Sequence, residues 1–435
     1  RRSSDLACLL VPALMCSQNW DDHDRSGRKT AAEIGYDYLN STGEQGILVT
    51  HGDNDTFPLW YDQEVEEVRP DVRVVNTSLL GTDWHIDQMK YACNESRPLP
   101  LTVGKEQYLY GTNEYVYIVD SRDEVMSISD VMAIFRHPQL KVELGSGRRV
   151  DYIPSRRIAV PVNKANAVKS GIIEEKYLDM VPDTIVLTMS KDKNYLTKPE
   201  LFVLDLLSNY QWDRPFSLLN NGGDLNVGIK DYLEFQGYSY KFIPIKNKPS
   251  TLNPGFVETD ELYRLMTEVY KWDALMADDW FVDYQNCYTF LGVMSLRSMF
   301  STAATAFMKA GENDRALEML DLSQKVMRRF PLCAVPLGFT GNDYMVINMV
   351  GQYMQLGAKE QGLKLGRQMG LELLEAARFY LEFYEYGRSE FETCGNYIYM
   401  LSDTLRENGE DAMADELLDG FKQMVHIAVG SEPEE

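Results

Sequence analysis

Three short stretches of the chain concentrate side chains able to bind or transform a ligand. The first is Asn19-Trp20-Asp21-Asp22-His23-Asp24-Arg25-Ser26. Asp21, Asp22 and Asp24 are hard oxygen donors and His23 titrates near neutrality, so the cluster has the chemistry to hold a divalent cation or to move a proton. Adjacent residues rarely converge on one centre, and a solvated loop in which Arg25 pairs with its acidic neighbours accounts for the same composition. The second stretch is His51-Gly52-Asp53-Asn54-Asp55-Thr56, between a short apolar run and a helical pattern. At the carboxyl end of a strand in an α/β sheet, Asp53, Asn54 and Asp55 would face a ligand. Two acids there suit a cation or sugar hydroxyls better than a bare phosphate. The same residues shape turns and cap helices, and that reading stands level with the first. The third stretch is Leu80-Gly81-Thr82-Asp83-Trp84-His85, after the next strand. Asp83 beside Trp84 makes a sugar-stacking pair, set against the commoner fate of a tryptophan packed in a core.

Other signals carry less chemistry. Asn220-Asn221-Gly222-Gly223-Asp224 has neither the GxGxxG order nor a Walker lysine, and Gly145-Ser146-Gly147-Arg148-Arg149 reads as a hairpin turn. No HExxH, GxSxG or Cys/His nucleophile pattern occurs, so an independent hydrolase is not supported. The six cysteines, Cys8, Cys16, Cys93, Cys287, Cys333 and Cys394, lack CxxC or zinc-finger spacing and read mainly as small buried hydrophobes. No metal site is assigned and no cofactor is read, a divalent cation at the acidic clusters being the alternative.

The elements that must position these residues follow from periodicity. Gly27 to Asn40 reads as a helix stopped by Asn40-Ser41-Thr42-Gly43. Ile47 to Thr50 is a strand, Phe57 to Val68 a helix with Pro58 in its first turn, and Val72 to Asn76 a strand. A second block runs as strand Thr184 to Met189, helix Lys198 to Ser208, strand Pro215 to Leu219, helix Val227 to Phe235 and strand Tyr238 to Ile243. Both alternations predict an α/β fold with a mainly parallel, Rossmann-like sheet. Residues 92–175 form an inserted mixed region, with strands at Tyr115 to Val119 and Arg157 to Val162 and a helix at Ser129 to Phe135. From Thr259 the pattern turns wholly helical. Phe307 before Gly311, Tyr353 before Gly357 and Leu405 before Gly409 form a weak repeat in which each glycine ends one helix of a hairpin. Ala304, Phe307, Gly311, Ala316 and Pro331 follow the order of a tetratricopeptide unit, so an all-α tetratricopeptide-like domain is expected. The predicted division is 1–18 as a stub, 19–250 as the α/β domain and 259–430 as the helical-repeat domain.

With 435 residues, 44% of them hydrophobic and 25% charged, the chain has ample material for a folded core. Its 43 Lys+Arg against 66 Asp+Glu leave a net charge of −23, which disfavours nucleic acid and anionic headgroups as partners. Leu6 to Met15 is the one early apolar run, shorter than the ~20 residues a membrane span needs. It reads either as a core segment or as the last turns of a membrane helix.

The strings Asn19-Trp-Asp-Asp-His-Asp-Arg-Ser-Gly27, Gly52-Asp-Asn-Asp-Thr-Phe-Pro-Leu-Trp-Tyr61, Asp71-Val-Arg-Val-Val-Asn76 and Thr82-Asp-Trp-His-Ile-Asp-Gln-Met89 together resemble one family. It is the protein O-mannosyltransferase-like membrane family of Gram-negative bacteria, also called glycosyltransferase family 117. Gln211-Trp-Asp-Arg-Pro215 and the helical C-terminus are similar too, so the resemblance runs from about residue 6 to the end. The sequence departs from the family pattern at His51 and His85, where Asn and Tyr are expected, and after Pro215, where Phe-Ser stands for Ile-Tyr-Phe.

The resemblance implies an N-terminal multi-span membrane domain of the same protein as partner, with this part on the periplasmic side of the bacterial cytoplasmic membrane. Leu6 to Met15 would then end the last spanning helix. The catalytic acid would lie in the membrane domain, so catalytic residues are not assigned here and this part alone would be inactive. Asp53, Asn54, Asp55, Asp83 and Trp84 would face a polypeptide acceptor or a lipid-linked sugar, with Asp21 to Arg25 as a secondary polar cluster. Two readings stand beside this one: a protein-binding scaffold built on the helical repeats, and a metal-dependent enzyme built on the Asp/His clusters.

Overall fold

The computed structural model describes residues 2–24, 26–120, 123–219, 225–250, 253–278, 295–338 and 340–430. Helix α1 (Arg2–His23) opens the chain with Pro12 inside it and Leu9, Leu10, Val11, Leu14, Met15 and Trp20 exposed. Among the described residues no helix is long and apolar enough to cross a membrane. Helix α2 (Thr30–Asn40), strand β1 (Ile47–Thr50), helix α3 (Phe57–Glu64), strand β2 (Arg73–Asn76) and helix α4 (Asp83–Met89) follow. Helix α3 is shorter than its apolar pattern predicts. Glu67 and Arg69 both take positive φ, 54° and 48°, and this left-handed turn brings β2 back beside β1.

The inserted region carries β3 (Tyr115–Ile118), β4 (Val125–Ser127), α5 (Ile128–Arg136), the β5–β6 hairpin (Val142–Glu143, Arg149–Val150), β7 (Tyr152–Ile153), β8 (Arg157–Pro161) and α6 (Lys164–Lys169). It is followed by β9 (Thr184–Thr188), β10 (Tyr195–Thr197), α7 (Lys198–Ser208), β11 (Phe216–Leu218), β12 (Leu233–Phe235) and β13 (Tyr240–Phe242). The central sheet has the order β12-β13-β11-β1-β2. Strand β1 pairs parallel with β2 and β11, but β13 pairs antiparallel with both β11 and β12.

This corrects the mainly parallel, Rossmann-like expectation. The helix predicted over Val227 to Phe235 is a 3-10 turn (Ile229–Tyr232) leading into β12. Only Gln236 to Ser239, with Gly237 at φ 82°, separate β12 from β13, far too few for the crossover that parallel pairing requires. Strand β9 also leaves the central sheet and joins β4 and β8, while β10 joins β3 and β7.

Side chains alternate across the central sheet with the period of two that a doubly covered strand needs. Leu48 and Val74 face one core together with Ile34 and Leu59 of α2 and α3. Ile47, Val49 and Val75 face the other, with Ile86 and Met89 of α4 and the apolar side of α7. The first core continues without a break into the helical region. That region comprises α8 (Thr259–Arg264) running into a π-helical turn (Leu265–Val269), α9 (Asp273–Met276), α10 (Leu296–Ala310), α11 (Asn313–Val326), α12 (Thr340–Gln355), α13 (Lys359–Glu382), α14 (Tyr384–Glu407) and α15 (Asp411–Gly430). Gly311, Gly357 and Gly409 adopt φ of 78°, 76° and 80°, and each ends the first helix of a hairpin, as their spacing predicts. Cys333 and Cys394 are buried in this core, where a hydrogen bond between the thiols, with burial, pushes Cys333 up; Cys8, Cys16 and Cys93 are exposed. Cys287 lies outside the described residues.

Where α2 meets α9 and the residues just before it, carboxylates do the joining. Asp37 accepts the Lys271 amide at 2.7 Å, and Glu33 accepts the Ala274 amide at 2.7 Å. One oxygen of Asp37 and one of Asp62 on α3 are buried with no hydrogen-bond partner. Gly35 lets the two helices approach this closely, since a Cβ there would stand 2.3 Å from the Asp62 carboxylate. Burial pushes Asp37 up to about 9 and Asp62 up to about 7, with Glu33 and Glu66 adding repulsion and Lys271 opposing it. Both carboxyls are raised above the ~3.9 of an unfolded chain, so the folded protein binds more protons between these values. The stabilisation is complete below about pH 4 and is lost as pH rises through about 7 and about 9. Asp37→Asn, which keeps the acceptor for Lys271 and cannot ionise, should therefore raise the melting temperature at pH 8 and lose that advantage at pH 5. An equal shift at both pH values in thermal denaturation would contradict the protonated pair.

Candidate functional site

The two strand-end loops expected to carry the chemistry lie side by side because β1 and β2 are parallel neighbours. Buried polar side chains tie them together. Thr50 and Thr56 hydroxyls meet at 2.6 Å, and Asn76 donates to Thr56 Oγ1 at 2.8 Å and to the Gly52 carbonyl at 3.1 Å. The Asn76 Oδ1 accepts the Leu79 amide at 2.9 Å, while Ser78 donates its hydroxyl to the His51 carbonyl at 2.6 Å. Thr56 belongs to the second stretch singled out above and caps α3; Thr50 and Asn76 lie outside that stretch, and their signal is that of polar residues closing two apolar strands.

Within the first loop, Asp55 is a structural residue. Its carboxylate accepts the backbone amides of His51 at 2.7 Å and Gly52 at 2.8 Å, closing the turn on itself. Asp53 contributes its carbonyl to the Thr56 and Phe57 amides, but its side chain and that of Asn54 stand exposed. The loop thus separates the predicted trio into one turn-maker, Asp55, and two outward-facing groups, Asp53 and Asn54.

In the second loop, Asp83 is half-buried in the first turn of α4 and Trp84 is 46% exposed, so the usual core role of a tryptophan is not taken. The buried member is its neighbour His85, which meets the Trp84 ring edge-on at 5.4 Å. Neither ring nitrogen of His85 makes a hydrogen bond of ordinary geometry, the Gln88 side chain being its near polar neighbour, and both nitrogens are sealed from solvent. Burial, ahead of the nearby Arg73 charge, pushes its pKa down to about 4 against the Gln88 side chain, so the ring is neutral at physiological pH.

Trp84 and His85 line a groove of about 520 Å³ at the open edge of β2, between Trp60, Gln63 and Glu64 of α3 and Gln88 and Met89 of α4. Tyr91, Cys93 and Asn94 close one side. Arg73 holds that side in place. It donates to Ser96 Oγ and to the carbonyls of Gln88, Tyr91, Ser96 and Arg97. Arg214 reaches the same segment through Ser96 Oγ and the Arg97 carbonyl. Phe57, exposed at the end of the Asp53-Asn54 loop, packs on Trp60 with ring centres 5.5 Å apart, so aromatic surface runs from that loop into the groove.

The remaining predicted residues fall elsewhere. Asp21, Asp22 and His23 lie in the last turn of α1, a helix where a loop was expected, and His23 Nδ1 is 2.9 Å from the Asn19 carbonyl. Asp24 accepts the Ser26 amide at 2.9 Å, and hydrogen bonds from Ser26 hold its carboxyl below the ordinary range. Arg25 and the Asn220 to Asp224 loop lie outside the described residues. Among the described residues no group of three or more His, Cys, Asp or Glu side chains is arranged to hold a metal ion.

The division of labour in the first loop is measurable. Asp55→Ala removes two amide acceptors and should cost roughly 1–2 kcal/mol in urea denaturation. Asp53→Ala should change stability by less than about 0.5 kcal/mol. Equal losses in the two variants would refute the distinction.

No curated protein and no experimentally determined structure matches the chain. The family model described as TMEM260-associated domain 2 matches residues 31–261, from the start of α2 into α8. This is more than half of the chain and includes both strand-end loops and the groove. The chain therefore belongs to the TMEM260-associated domain 2 family, which is related to the protein O-mannosyltransferases.

Proposed function

We propose that the chain is the extracytoplasmic, non-catalytic recognition part of a membrane-bound protein O-mannosyltransferase-like glycosyltransferase of the family 117 type. Its partner is the membrane domain of the same protein, and its position is the periplasmic face of a bacterial cytoplasmic membrane. Asp53 and Asn54 face the polypeptide acceptor or the lipid-linked sugar. The observation that carries this reading is the strand-end face itself. Two parallel strands deliver adjacent loops whose internal hydrogen bonds are satisfied, leaving Asp53 and Asn54 free beside exposed Phe57, Tyr61 and Trp84. Family membership supports the link to a membrane glycosyltransferase-like protein.

The purified 435-residue chain should transfer no sugar. In the full-length membrane protein, Asp53→Ala with Asn54→Ala should lower transfer to the acceptor at least tenfold while leaving the melting temperature unchanged. Full transfer by that double variant would exclude this face from recognition.

A second reading, a tetratricopeptide-like scaffold for a protein partner, is favoured by Phe379, Phe383 and Tyr386, which are exposed together where α13 meets α14. Because one core joins sheet and helices, truncation would unfold both, so point variants are the fair test. Loss of a co-purifying partner in Phe383→Ser with Tyr386→Ser, but not in the Asp53/Asn54 variant, would favour the scaffold.

A further inference from the structure

We infer that the polar pocket where the carboxyl end of α2 faces the π-helical turn after α8 binds an aliphatic polyamine, with Gln236 as its buried acceptor and Glu44, Glu95 and Glu268 as its anionic contacts. The pocket shares no residue with the strand-end loops or the aromatic groove, so this site stands apart from the recognition face.

The cavity holds about 660 Å³ and is walled by five carboxylates against two guanidiniums. Both guanidiniums are committed. Arg69 grips Asp71 with two nitrogens at 2.8 and 3.0 Å and turns its other donors to the carbonyls of Leu39, Thr42 and Gly43. Arg264 is held by both oxygens of Glu261 at 2.7 Å. Lys271, the other nearby cation, lies over the Tyr36 ring at 3.5 Å and does not line the cavity. What remains is Glu44, Glu95 and Glu268, which are exposed and whose carboxylates have neither an ion pair nor a hydrogen bond among the described residues. They come from the loop before β1, the loop after α4 and the π-helical turn, so the excess negative charge is distributed around the cavity and not along one helix. The negative end of the α2 dipole opens onto the same space.

Gln236 makes this more than an acidic surface. It sits in the turn between β12 and β13, 5% exposed, with its backbone fully engaged: its amide donates to the Ser239 carbonyl at 2.9 Å and its carbonyl accepts the Tyr270 hydroxyl at 2.5 Å. Its side-chain amide has no hydrogen-bond partner among the described residues. Unlike the orphaned oxygens of Asp37 and Asp62, neither of its polar atoms is sealed, and the small surface it keeps opens into the cavity it lines. A polar group enclosed on its other sides and open on this one is placed to receive a ligand. Its Oε1 requires a donor and the three carboxylates require positive charge; an ammonium, with three donors and no acceptor, meets both demands. An anion is repelled here, and a neutral ligand leaves the charge unmatched. A metal ion needs a close ring of oxygens, and among the described residues no group of three or more His, Cys, Asp or Glu side chains forms one. Carboxylates spaced around a cavity of this size match several ammonium groups along one flexible chain, whose methylenes meet Val269 and the Tyr36 ring.

Calorimetry on the 435-residue chain at about 0.15 M salt provides the test, with spermidine as the probe and Mg²⁺ and trilysine as the alternative cations. Spermidine should bind saturably at a single site. Gln236→Met, which keeps the volume and removes the acceptor, should weaken that binding roughly tenfold. Glu44→Gln with Glu95→Gln and Glu268→Gln should weaken it at least as much, and because all three positions are exposed this variant decides the matter even where the Gln236 variant does not fold. A control, Glu360→Gln with Glu375→Gln and Glu382→Gln, removes the same charge from exposed positions on α13 and should leave the affinity within about twofold. Four results would overturn the inference: no saturable binding of spermidine, unchanged affinity in the pocket variants, an equal loss in the α13 control, which would assign the effect to overall charge, or tighter binding of Mg²⁺ or trilysine, which would assign the pocket to a metal ion or a basic peptide.

Discussion

A charged guanidinium inside a protein must find its solvation in the chain, and in this molecule that demand organises the irregular backbone. Arg73, Arg214 and Arg297 are each no more than 3% exposed, and none of the three uses a carboxylate as its main partner. They are wrapped in carbonyl oxygens. Arg214 donates to Gln45 at 2.6 Å and Arg297 to Pro331 at 2.7 Å, with Phe330 and Asn342 close behind. Desolvation lowers all three, Arg214 and Arg297 to about 10, which still leaves them charged at neutral pH. Each therefore fixes a loop that has no regular ladder to satisfy it. Arg69 does the same for the end of α2, donating to the carbonyls of Leu39, Thr42 and Gly43. In a chain of net charge −23, these few cations serve the interior.

The consequence for the site is positional. Because Arg73 sits in β2 and grips the segment from Tyr91 to Arg97, the wall of the groove is tied to the strand that forms its floor. Asn76, three residues further on, ties the Asp53 loop to the same strand. A single four-residue edge strand thus carries the alignment of both the exposed acidic loop and the aromatic groove. Preorganisation of this kind reduces the ordering cost that binding at either place would otherwise impose.

Much of this was legible in the residues. Ile47 to Thr50, Val72 to Asn76 and Lys198 to Ser208 are local patterns with clear flanking signals, and the three hairpin glycines carry their own conformational reason. The strand-end location of Asp53 and Trp84 followed from them. What stayed hidden was non-local. The antiparallel course of β13 depends on which neighbour it finds in the sheet, which hydropathy does not encode. The exposure of Trp84 and burial of His85 reverse the ordinary preference of both residue types, and only the position of α4 across the sheet edge decides it. Asp37 and Asp62 look like surface residues of two helices until Gly35 brings those helices into contact.

The pairing of β1 also dictates an order of assembly. Ile47 lies beside Arg73 on one side and beside Phe216 on the other, and β11 in turn needs β13 to cover its far edge. During synthesis, β1 and β2 emerge together, but the sheet cannot be completed until the chain has been made as far as Phe242. Throughout that interval the apolar edge of Ile47-Leu48-Val49 is open to any other extended chain nearby. The helical hairpins behind it close between sequence neighbours and have no such wait. Sheet closure in the N-terminal half is thus the long-range step of folding, set by the sequence distance from β1 to β11 and β13.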